Sequence, residues 1–338
     1  MPDKNEKSKE TLPIVIIGAG IAGLCISFYL NKKNISHIII EKGKAGNTWI
    51  EERWDNFHLV NPNWAMKIPE FGFESDHFPS KDPNGFLNKK EIVNYIQSFA
   101  RYLNSEIYEN ENVIKISKNN NSYEIQTSKR LIHTNTVIIA TGAFGNPYIP
   151  EIHKNLDKDI FQIHSSKYKN STGLPEGKVV VVGSGQSGAQ IAEDLLDSGR
   201  KVILAVSKCG RRPRKYRSKD SSWWNYEMGL FDKTVNDVKL EERWKCSAHT
   251  SGAKGGHDIN LIDLAENGLE LCGSIKNCRG NKLFLKDNVY ENVKFSDTHA
   301  INWRKNVDEF ITKNNIKAPQ ESIKIDERIQ SNILKNYD

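Results

Sequence analysis

The chain has 338 residues, of which 38% are hydrophobic and 27% charged, with a formal net charge of +6. This balance is typical of a globular protein with an apolar core, and it excludes a chain too polar to fold. The lysines are spread over the whole length, whereas a nucleic-acid-binding protein usually concentrates its charge on one element. We therefore expect no nucleic-acid partner.

Cysteine usage and the N-terminus indicate a cytoplasmic protein. The five cysteines are odd in number and none has C-x-x-C spacing. That pattern favours reduced thiols over a disulfide framework, and it predicts no metal site. The polar residues 1–11 are typical of a disordered tail rather than a signal peptide. No stretch approaches the ~18 apolar residues of a membrane span, so we expect none.

The first structured segment has the pattern of one βαβ unit. The apolar run Leu12–Ile17 predicts a buried strand, Ile21–Leu30 a helix, and Ser36–Ile40 a second strand that ends at Glu41. A glycine-rich turn, residues 18–23, joins the first strand to the helix. Strand, turn, helix and strand thus follow one another within about 30 residues, as in a βαβ unit.

This first turn fits G-x-G-x-x-G through Gly18, Gly20 and Gly23. The first glycine permits a tight turn, the second lets a pyrophosphate approach the backbone, and the third lets the helix pack on the strand. The helix N-terminus offers free N–H groups to phosphate. A carboxylate at Glu41 would accept hydrogen bonds from ribose hydroxyls. The pattern predicts a dinucleotide site, the alternative being a turn that only aids packing.

The middle of the chain combines loops with a small antiparallel piece. Residues 43–90 are rich in Gly, Pro, Asn and aromatic residues, which is typical of a segment that lines a cleft, and residues 90–103 favour a helix. Short strands separated by Asn-rich turns are predicted at Val113–Ser117, Tyr123–Thr127 and Arg130–Leu131. Thr136–Ala140 predicts a buried strand that ends in A-T-G.

A second βαβ unit follows about 165 residues after the first. Its predicted elements are a strand at Lys178–Val182, a turn at Gly183–Gly188, a helix at Ala189–Leu196 and a strand at Val202–Val206. The turn again fits G-x-G-x-x-G, and it predicts a second dinucleotide site formed by Gly183, Gly185, Gln186, Ser187 and Gly188. Residues 208–258 are irregular and residues 300–315 favour a helix.

The residues after the second unit's last strand favour NADP over NAD. No acid stands there; instead the candidates for a 2′-phosphate are Ser207, Lys208, Arg211 and Arg212. An acid would repel that phosphate, whereas hydroxyl and cationic groups bind it. The alternative for the basic run 211–217 is a solvated loop or a nucleic-acid patch.

Two such units in one chain, with the A-T-G strand end between them, resemble the flavoproteins that bind two dinucleotides. Three segments are similar to motifs of the class B flavin monooxygenases, the flavin-containing and YUCCA-like enzymes. Residues 46–49 (G-N-T-W) are similar to G-G-x-W, with Asn47 in place of the second glycine, and residues 61–66 resemble N-x-x-x-x-M. His164 and Tyr168 match the second half of F-x-G-x-x-x-H-x-x-x-Y/F, whereas Lys158 and Ile160 depart from its first half. Segments 211–220 and 251–260 resemble a bacterial subgroup often labelled CzcO- or TrkA-like.

The resemblance implies an α/β fold with two Rossmann-like dinucleotide-binding domains, each with a central parallel sheet, plus the small antiparallel piece. It assigns FAD to a domain at 12–165 and NADPH to a domain at 166–338, with the irregular insert at 208–258.

The resemblance also implies roles for single residues. It places along the FAD the residues Asn47, Thr48, Trp49 and Arg53. Asn61 would be the catalytic residue beside the reactive edge of the flavin, and His164 and Tyr168 would lie on the linker and couple the domains. The simpler alternatives are a turn residue for Asn61, a surface or core histidine for His164 and a core aromatic for Trp49.

The activity that the resemblance implies is an NADPH-dependent monooxygenase. Such an enzyme forms a C4a-hydroperoxyflavin and uses molecular oxygen to oxygenate nitrogen, sulfur or carbon in a small molecule, whose identity the sequence does not reveal. The first alternative is an FAD- and NAD(P)H-dependent oxidoreductase without oxygen transfer. The second is a shortened, non-catalytic flavoprotein that needs a partner.

That last alternative depends on the C-terminal part of the chain. After Gly142 there is no second A-T-G strand end and no closing glycine-rich or acidic turn, whereas relatives of this class carry a further FAD-domain segment. We therefore expect weakened FAD retention, unless a second copy or a complementing chain fills the gap. A shorter closure within residues 318–338 is the remaining alternative.

Overall fold

The chain folds as two compact units in a computed structural model that describes residues 10–243, 245–323 and 325–330. The first unit contains Met1–Arg53, Met66–Pro83 and Leu87–Tyr148, and the second contains Trp54–Ala65, Asn84–Phe86 and Ile149–Asp338. These units divide the chain differently from the domains predicted at 12–165 and 166–338. Residues 149–165 and the loop 54–65 pack with the second unit instead of the first.

The first unit is built on one sheet. In chain order its elements are β1 (Glu10–Ile17), α1 (Ile21–Lys32), β2 (His37–Ile40), α2 (Asn47–Glu51), α3 (Lys89–Leu103), β3 (Ile107–Tyr108), β4 (Val113–Asn119), β5 (Ser122–Thr127) and β6 (Leu131–Ile139). The sheet order is β3-β2-β1-β6-β5-β4. Strands β3, β2, β1 and β6 run parallel, and β6, β5 and β4 run antiparallel. The turn after β1 therefore lies at the carboxyl ends of parallel strands, where open α/β sheets bind ligands.

Buried branched side chains explain why this sheet forms where the sequence predicts it. One buried cluster of the unit comprises Val15, Ile17, Ile38, Ile40, Ile125 and Ile132. Helix α3 begins with a capping box, in which the Asn88 side chain accepts from the Glu91 backbone N–H at 3.0 Å and the Glu91 carboxylate accepts from the Asn88 N–H at 2.9 Å.

Two sequence-based boundaries in this unit are wrong. Glu10 and Thr11, assigned to the tail, begin β1, whereas the rest of the predicted tail lies outside the described residues. The strands predicted at 130–131 and 136–140 are one strand, β6, which pairs with β5 through its first half and with β1. The polar residues between them are tolerated because the Thr134 hydroxyl donates to the Pro13 carbonyl at 3.2 Å.

The second unit repeats the βαβ arrangement. Its elements are β7 (Val179–Val182), α4 (Gln186–Asp197), β8 (Val202–Ala205), β9 (Lys215–Tyr216), β10 (Lys219–Asp220), α5 (Ser221–Glu227), α6 (Leu261–Glu266), β11 (Glu270–Cys272), β12 (Ile275–Arg279), β13 (Lys282–Leu285) and α7 (Val289–Lys313). Strands β11, β8 and β7 form a parallel sheet, and β9–β10 and β12–β13 form antiparallel pairs. The α/β prediction, with a parallel sheet in each unit and smaller antiparallel pieces, is confirmed.

Helix α7 starts 11 residues before the helix predicted at 300–315. Its first half carries polar residues on the buried side, which obscure the helical pattern in the sequence. Asn292 donates to the Val206 carbonyl at 2.9 Å, and Asp297 pairs with Arg211. Its second half contributes Trp303 to an aromatic core that also contains Tyr216 and Trp224.

Among the described residues, strand segments in both sheets have a hydrogen-bonded neighbour on one side only. The second half of β6 has β1 as its sheet neighbour on one side only, and β7 pairs only with β8. Large apolar side chains near these edges are exposed, including Ile139 at 67%, Tyr148 at 81% and Val182 at 66%.

No helix in the described part of the chain is both long enough and apolar enough to span a membrane.

Candidate functional site

The three glycines of the first turn meet three different surroundings. Gly18 has φ +108, and a methyl group there would lie 2.5 Å from the Ala140 carbonyl oxygen. A methyl group on Gly23 would lie 1.9 Å from the Gly18 carbonyl oxygen. At Gly20 it would meet no heavy atom within 4 Å among the described residues. Packing therefore explains Gly18 and Gly23, whereas Gly20 leaves open space at the N-terminus of α1.

The carboxylate of Glu41 closes this turn from the end of β2. It is buried, and its two oxygens accept from the backbone N–H groups of Ala19 at 2.8 Å and Gly43 at 2.9 Å. A carboxylate offers about four lone-pair sites, so each oxygen can accept one more hydrogen bond. Glu41 can thus hold the turn and still receive a ribose hydroxyl.

The segment predicted to run along the flavin lies against the same turn. Gly46 has φ +77 and its N–H donates to the Ala19 carbonyl at 2.9 Å. Helix α2 begins there and carries Asn47, Thr48 and Trp49. The Arg53 guanidinium lies 5.1 Å from the Trp49 ring centroid, and burial lowers its pKa. The first unit therefore brings together the predicted residues of the first site up to Arg53.

The second turn reproduces the backbone of the first. Gly183 has φ +92, and a methyl group on Gly188 would lie 1.9 Å from the Gly183 carbonyl oxygen. At Gly185 the one close neighbour within 4 Å among the described residues is the sulfur of Cys246, at 3.2 Å. Ser187 is exposed on the first turn of α4. This turn, too, leaves its middle glycine without backbone or core packing.

Ser207 takes in the second unit the place that Glu41 has in the first. Its hydroxyl accepts from the Ser184 N–H at 3.1 Å, and its own N–H donates to the Ser184 hydroxyl at 3.0 Å. The Gln186 amide bridges the other side of the turn, because it donates to the Thr250 carbonyl at 2.6 Å and accepts from the Thr250 N–H at 3.2 Å. Uncharged groups therefore hold this turn.

The predicted phosphate-binding cations differ in availability. Lys208 is exposed, with its ammonium 5.0 Å from the Phe295 ring centroid. Arg211 is buried and forms ion pairs with Asp297 and, at 3.4 Å, with Asp258. Burial lowers the pKa of Arg212 to about 10, and its Nε has no hydrogen-bond partner among the described residues. Lys208 is the most accessible of the three, and Arg211 is already neutralised.

Asn61 does not belong to the same unit as the first turn. It is exposed on the loop 54–65, which packs with the second unit. Buried Arg214 holds this loop, because its Nη1 donates to the carbonyl of Val60 at 2.7 Å. Gly252 supports it as well, since a methyl group there would lie 1.8 Å from the Leu59 carbonyl oxygen.

The two residues predicted on the linker lie inside the second unit. His164 caps a short 3-10 helix and accepts through Nδ1 from the Ser166 N–H at 3.2 Å. Tyr168 is buried, and its hydroxyl donates to Asp194 of α4 at 2.6 Å. Burial and this hydrogen bond raise the pKa of Tyr168. Their coupling role stays a prediction.

Sequence reasoning missed two polar contacts beside the second turn. The thiols of Cys209 and Cys246 lie 3.1 Å apart, and the buried Glu193 carboxylate of α4 lies 2.6 Å from His257 Nε2. The hydrogen bond from Glu193 raises the pKa of His257. No short spacing links these pairs, so the sequence carries no signal for them. Within the described ranges no cluster of three or more His, Cys, Asp or Glu side chains could hold a metal ion.

Comparison with known proteins identifies the family. Residues 15–242 match the family described as pyridine nucleotide-disulphide oxidoreductase, and because that is more than half of the chain, the protein belongs to this family.

Two sequence relatives agree with the resemblance to CzcO- and YUCCA-like proteins. An uncharacterized CzcO-like oxidoreductase of Geobacillus kaustophilus is 34% identical over 225 residues, which are 66% of this chain and 62% of that protein. The probable indole-3-pyruvate monooxygenase YUCCA1 of Arabidopsis thaliana is 29% identical over 57% of this chain and 46% of its own length. The matched part of the chain thus spans less than two thirds of the length of each of these relatives.

A solved structure shares the fold. The flavin-containing monooxygenase from Stenotrophomonas maltophilia superposes with a TM-score of 0.62 over 82% of this chain and 74% of its own, at 19% identity. Together with the two sequence relatives, this shared fold confirms the predicted resemblance to the class B flavin monooxygenases.

Proposed function

We propose that the protein binds FAD at the first glycine turn and NADPH at the second, and acts as a monooxygenase on a small molecule. The observation that carries this proposal is the pair of matching turns in one chain. The first glycine of each turn, Gly18 or Gly183, has a positive φ, and the third, Gly23 or Gly188, packs too closely for a side chain. The middle glycine faces open space in the first turn and the side chain of Cys246 in the second.

The residues at the turns divide the two cofactors between them. Glu41 has free lone pairs beside the first turn and suits the ribose hydroxyls of FAD. Ser207 with exposed Lys208 suits a 2′-phosphate, which a carboxylate would repel. The N-termini of α1 and α4, each 12 residues long, supply N–H groups and a positive dipole end to the two pyrophosphates.

When bound, FAD and NADPH would supply the redox chemistry, which is hydride transfer and the activation of oxygen. The protein orients the cofactors and limits water. In this proposal the Asn61 amide donates or accepts a hydrogen bond at the reactive flavin edge, and Arg214 holds the backbone of its loop. Oxygen transfer is supported by the sequence similarity to YUCCA1, a probable indole-3-pyruvate monooxygenase.

A second candidate function is an NADPH-dependent flavin reductase without oxygen transfer. The exposed side chains Ile139, Phe144 and Tyr148 at the end of β6 favour it, because oxygen transfer needs a site that excludes water. In that case a second copy or a complementing chain would have to cover this edge before the protein could oxygenate a substrate.

Cofactor titration combined with rapid kinetics tests the proposal. Gly20→Val should abolish FAD binding and leave the isolated NADPH site intact, and Gly185→Val should do the reverse, because each side chain fills only its own turn. The parent protein loaded with FAD should be reduced anaerobically by NADPH and reoxidised by oxygen. Product formation matched to NADPH use supports the monooxygenase; stoichiometric peroxide release supports the reductase. A protein that binds neither cofactor contradicts both.

A further inference from the structure

Two cysteines that are 37 positions apart lie side by side next to the second glycine turn. The Cys209 thiol donates to the sulfur of Cys246 across 3.1 Å, and both cysteines are free thiols. Cys209 is buried, whereas Cys246 is exposed. The Cys246 sulfur is therefore accessible to a reagent in solution, and the Cys209 sulfur lies buried next to it.

The exposed sulfur lies at the N-terminus of α4. It is 3.2 Å from the position that a methyl group on Gly185 would occupy, and the Gln186 backbone N–H forms a hydrogen bond to it. This is the end of the helix where phosphate binds in dinucleotide turns. Cys209 lies in the segment that follows strand β8, three residues after Val206. The sulfur pair thus bridges the segment around Cys246 to the strand end beside the turn.

The two thiols differ in acidity. The hydrogen bond from Cys209, supported by the Gln186 N–H, lowers the pKa of Cys246 to about 6. The same hydrogen bond, together with burial, raises the pKa of Cys209. A thiolate is the form of cysteine that attacks peroxides and disulfides, so Cys246 is the nucleophile of the pair and Cys209 the resolving thiol.

We propose that Cys246 and Cys209 form a peroxide-reactive dithiol that closes to a disulfide over the second glycine turn. The Cys246 thiolate attacks one oxygen of hydrogen peroxide and the O–O bond breaks. Hydroxide departs, and Cys246 becomes a sulfenic acid. The Cys209 sulfur then displaces that oxygen, which departs as water with the proton of Cys209. The two thiols lose two electrons, and the peroxide gains them. A disulfide bond of about 2.05 Å requires the sulfurs to approach by only about 1 Å.

Closure would hold the Cys246 sulfur in the space that a pyrophosphate must enter beside Gly185 and Gln186. In the reduced protein a hydrogen bond between two thiols, a weak donor and a weak acceptor, holds the sulfur there, and a ligand can displace it. Oxidation therefore weakens dinucleotide binding and reduction restores it. This consequence rests on the proposed NADPH site, whereas the thiol chemistry does not.

Thiol counting and peptide mass spectrometry on the full chain test the thiol chemistry. One equivalent of hydrogen peroxide should lower the alkylatable thiols of the denatured parent from five to three and produce a peptide linked through Cys209 and Cys246. Cys209→Ser should accumulate a dimedone adduct on Cys246, and Cys246→Ser should resist the same peroxide dose. Cys25→Ser, which removes a half-buried thiol of α1, is the matched control: its alkylatable thiols should fall from four to two, and the same linked peptide should form. Oxidation that spares this pair overturns the proposal.

NADPH titration of the same samples tests the effect on the turn. The oxidised parent should bind NADPH at least about tenfold more weakly than the reduced parent, and dithiothreitol should restore affinity; Cys246→Ser should not respond to peroxide. Unchanged affinity in a protein shown to carry the disulfide overturns the blocking role. A reduced protein that binds no NADPH contradicts the second dinucleotide site instead, while the linked peptide still decides whether the dithiol closes.

Discussion

The two glycine turns have the same backbone but different side chains around it. In both, the N–H of the first glycine donates to the last residue of the neighbouring strand, from Gly18 to Ile40 at 2.8 Å and from Gly183 to Ala205 at 3.0 Å. In both, a methyl group on the third glycine would collide with the carbonyl oxygen of the first. The backbone of the turn is thus independent of the ligand that it is proposed to hold.

The turns differ in the side chain that accepts a hydrogen bond from the backbone N–H of the second turn residue, Ala19 or Ser184. That acceptor is the carboxylate of Glu41 in the first unit and the hydroxyl of Ser207 in the second. Both side chains hold the turn by accepting one of its backbone N–H groups. They differ towards a ribose 2′ position, because only the carboxylate repels a phosphate. We infer that cofactor choice depends on this one position more than on the glycines.

Substitution of the third glycine should produce the largest effect in both units. Gly23→Ala and Gly188→Ala place a methyl group 1.9 Å from a backbone oxygen. Each should lower the free energy of unfolding by about 3 kcal/mol, the upper end of the usual overpacking cost, because the clash is with backbone. Gly20→Ala, which meets no heavy atom within 4 Å among the described residues, is the matched control and should unfold like the parent. Equal denaturant midpoints for Gly23→Ala and Gly20→Ala would contradict this account.

Acid should destabilise the second unit through His249, which lies fully buried behind its turn. Burial lowers the pKa of His249 to about 4. The unfolded chain, with an ordinary histidine pKa near 6.5, binds the proton more readily, so stability is complete above about pH 6.5 and falls as the pH drops towards 4. The loss is on the order of 3 kcal/mol.

Denaturant unfolding at pH 7, 5.5 and 4 measures this loss. His249→Gln removes the titration and can retain a donor to the Ile259 carbonyl, which His249 Nε2 contacts at 3.1 Å. This variant should show a flatter pH dependence, although its stability at pH 7 will be lower. A pH dependence as steep as that of the parent would assign the acid sensitivity to other groups.

Exchange of the distinguishing residue should weaken or remove the preference for NADPH. Ser207→Glu puts a carboxylate beside the second turn, as Glu41 stands beside the first. NADPH affinity should fall about tenfold or more, because a charge-assisted contact to phosphate is worth roughly 1.5–3 kcal/mol. NADH affinity should change little, and Ser207→Thr, which keeps the hydroxyl, should retain the preference for NADPH. Equal affinities of the parent for both nucleotides would show that Ser207 does not select the cofactor.

Asn61 should give the smallest effect, since it contributes one side chain to the proposed chemistry. Asn61→Ala should leave FAD affinity nearly unchanged and increase peroxide release per NADPH by about fivefold, the equivalent of one hydrogen bond of about 1 kcal/mol. Asn236→Ala, another exposed asparagine of the second unit, is the control. Unchanged coupling would assign Asn61 to the turn before Pro62.

Much of the fold can be predicted from local sequence patterns, and the places where that prediction is wrong have identifiable physical causes. The sequence predicts the βαβ units because buried β-branched runs, glycine turns and helices lie within about 30 residues. The sequence pattern divides strand β6 in two because Thr134 interrupts the apolar run. It does not predict the first half of α7 because Asn292 and Asp297 are polar yet buried with partners. Polar residues that are satisfied by distant groups mislead a reading based on hydrophobic period.

The sequence by itself determined the α/β class, the two glycine turns and the acid or hydroxyl that follows each unit, because turn geometry and the nearest hydrogen bonds depend on residues close in the chain. The tertiary structure alone decided that the loop of Asn61 packs with the second unit, that Arg211 is neutralised by Asp258 and Asp297, and that Cys209 meets Cys246. These contacts join residues dozens of positions apart, and the packing of whole elements, which no local spacing encodes, brings them together.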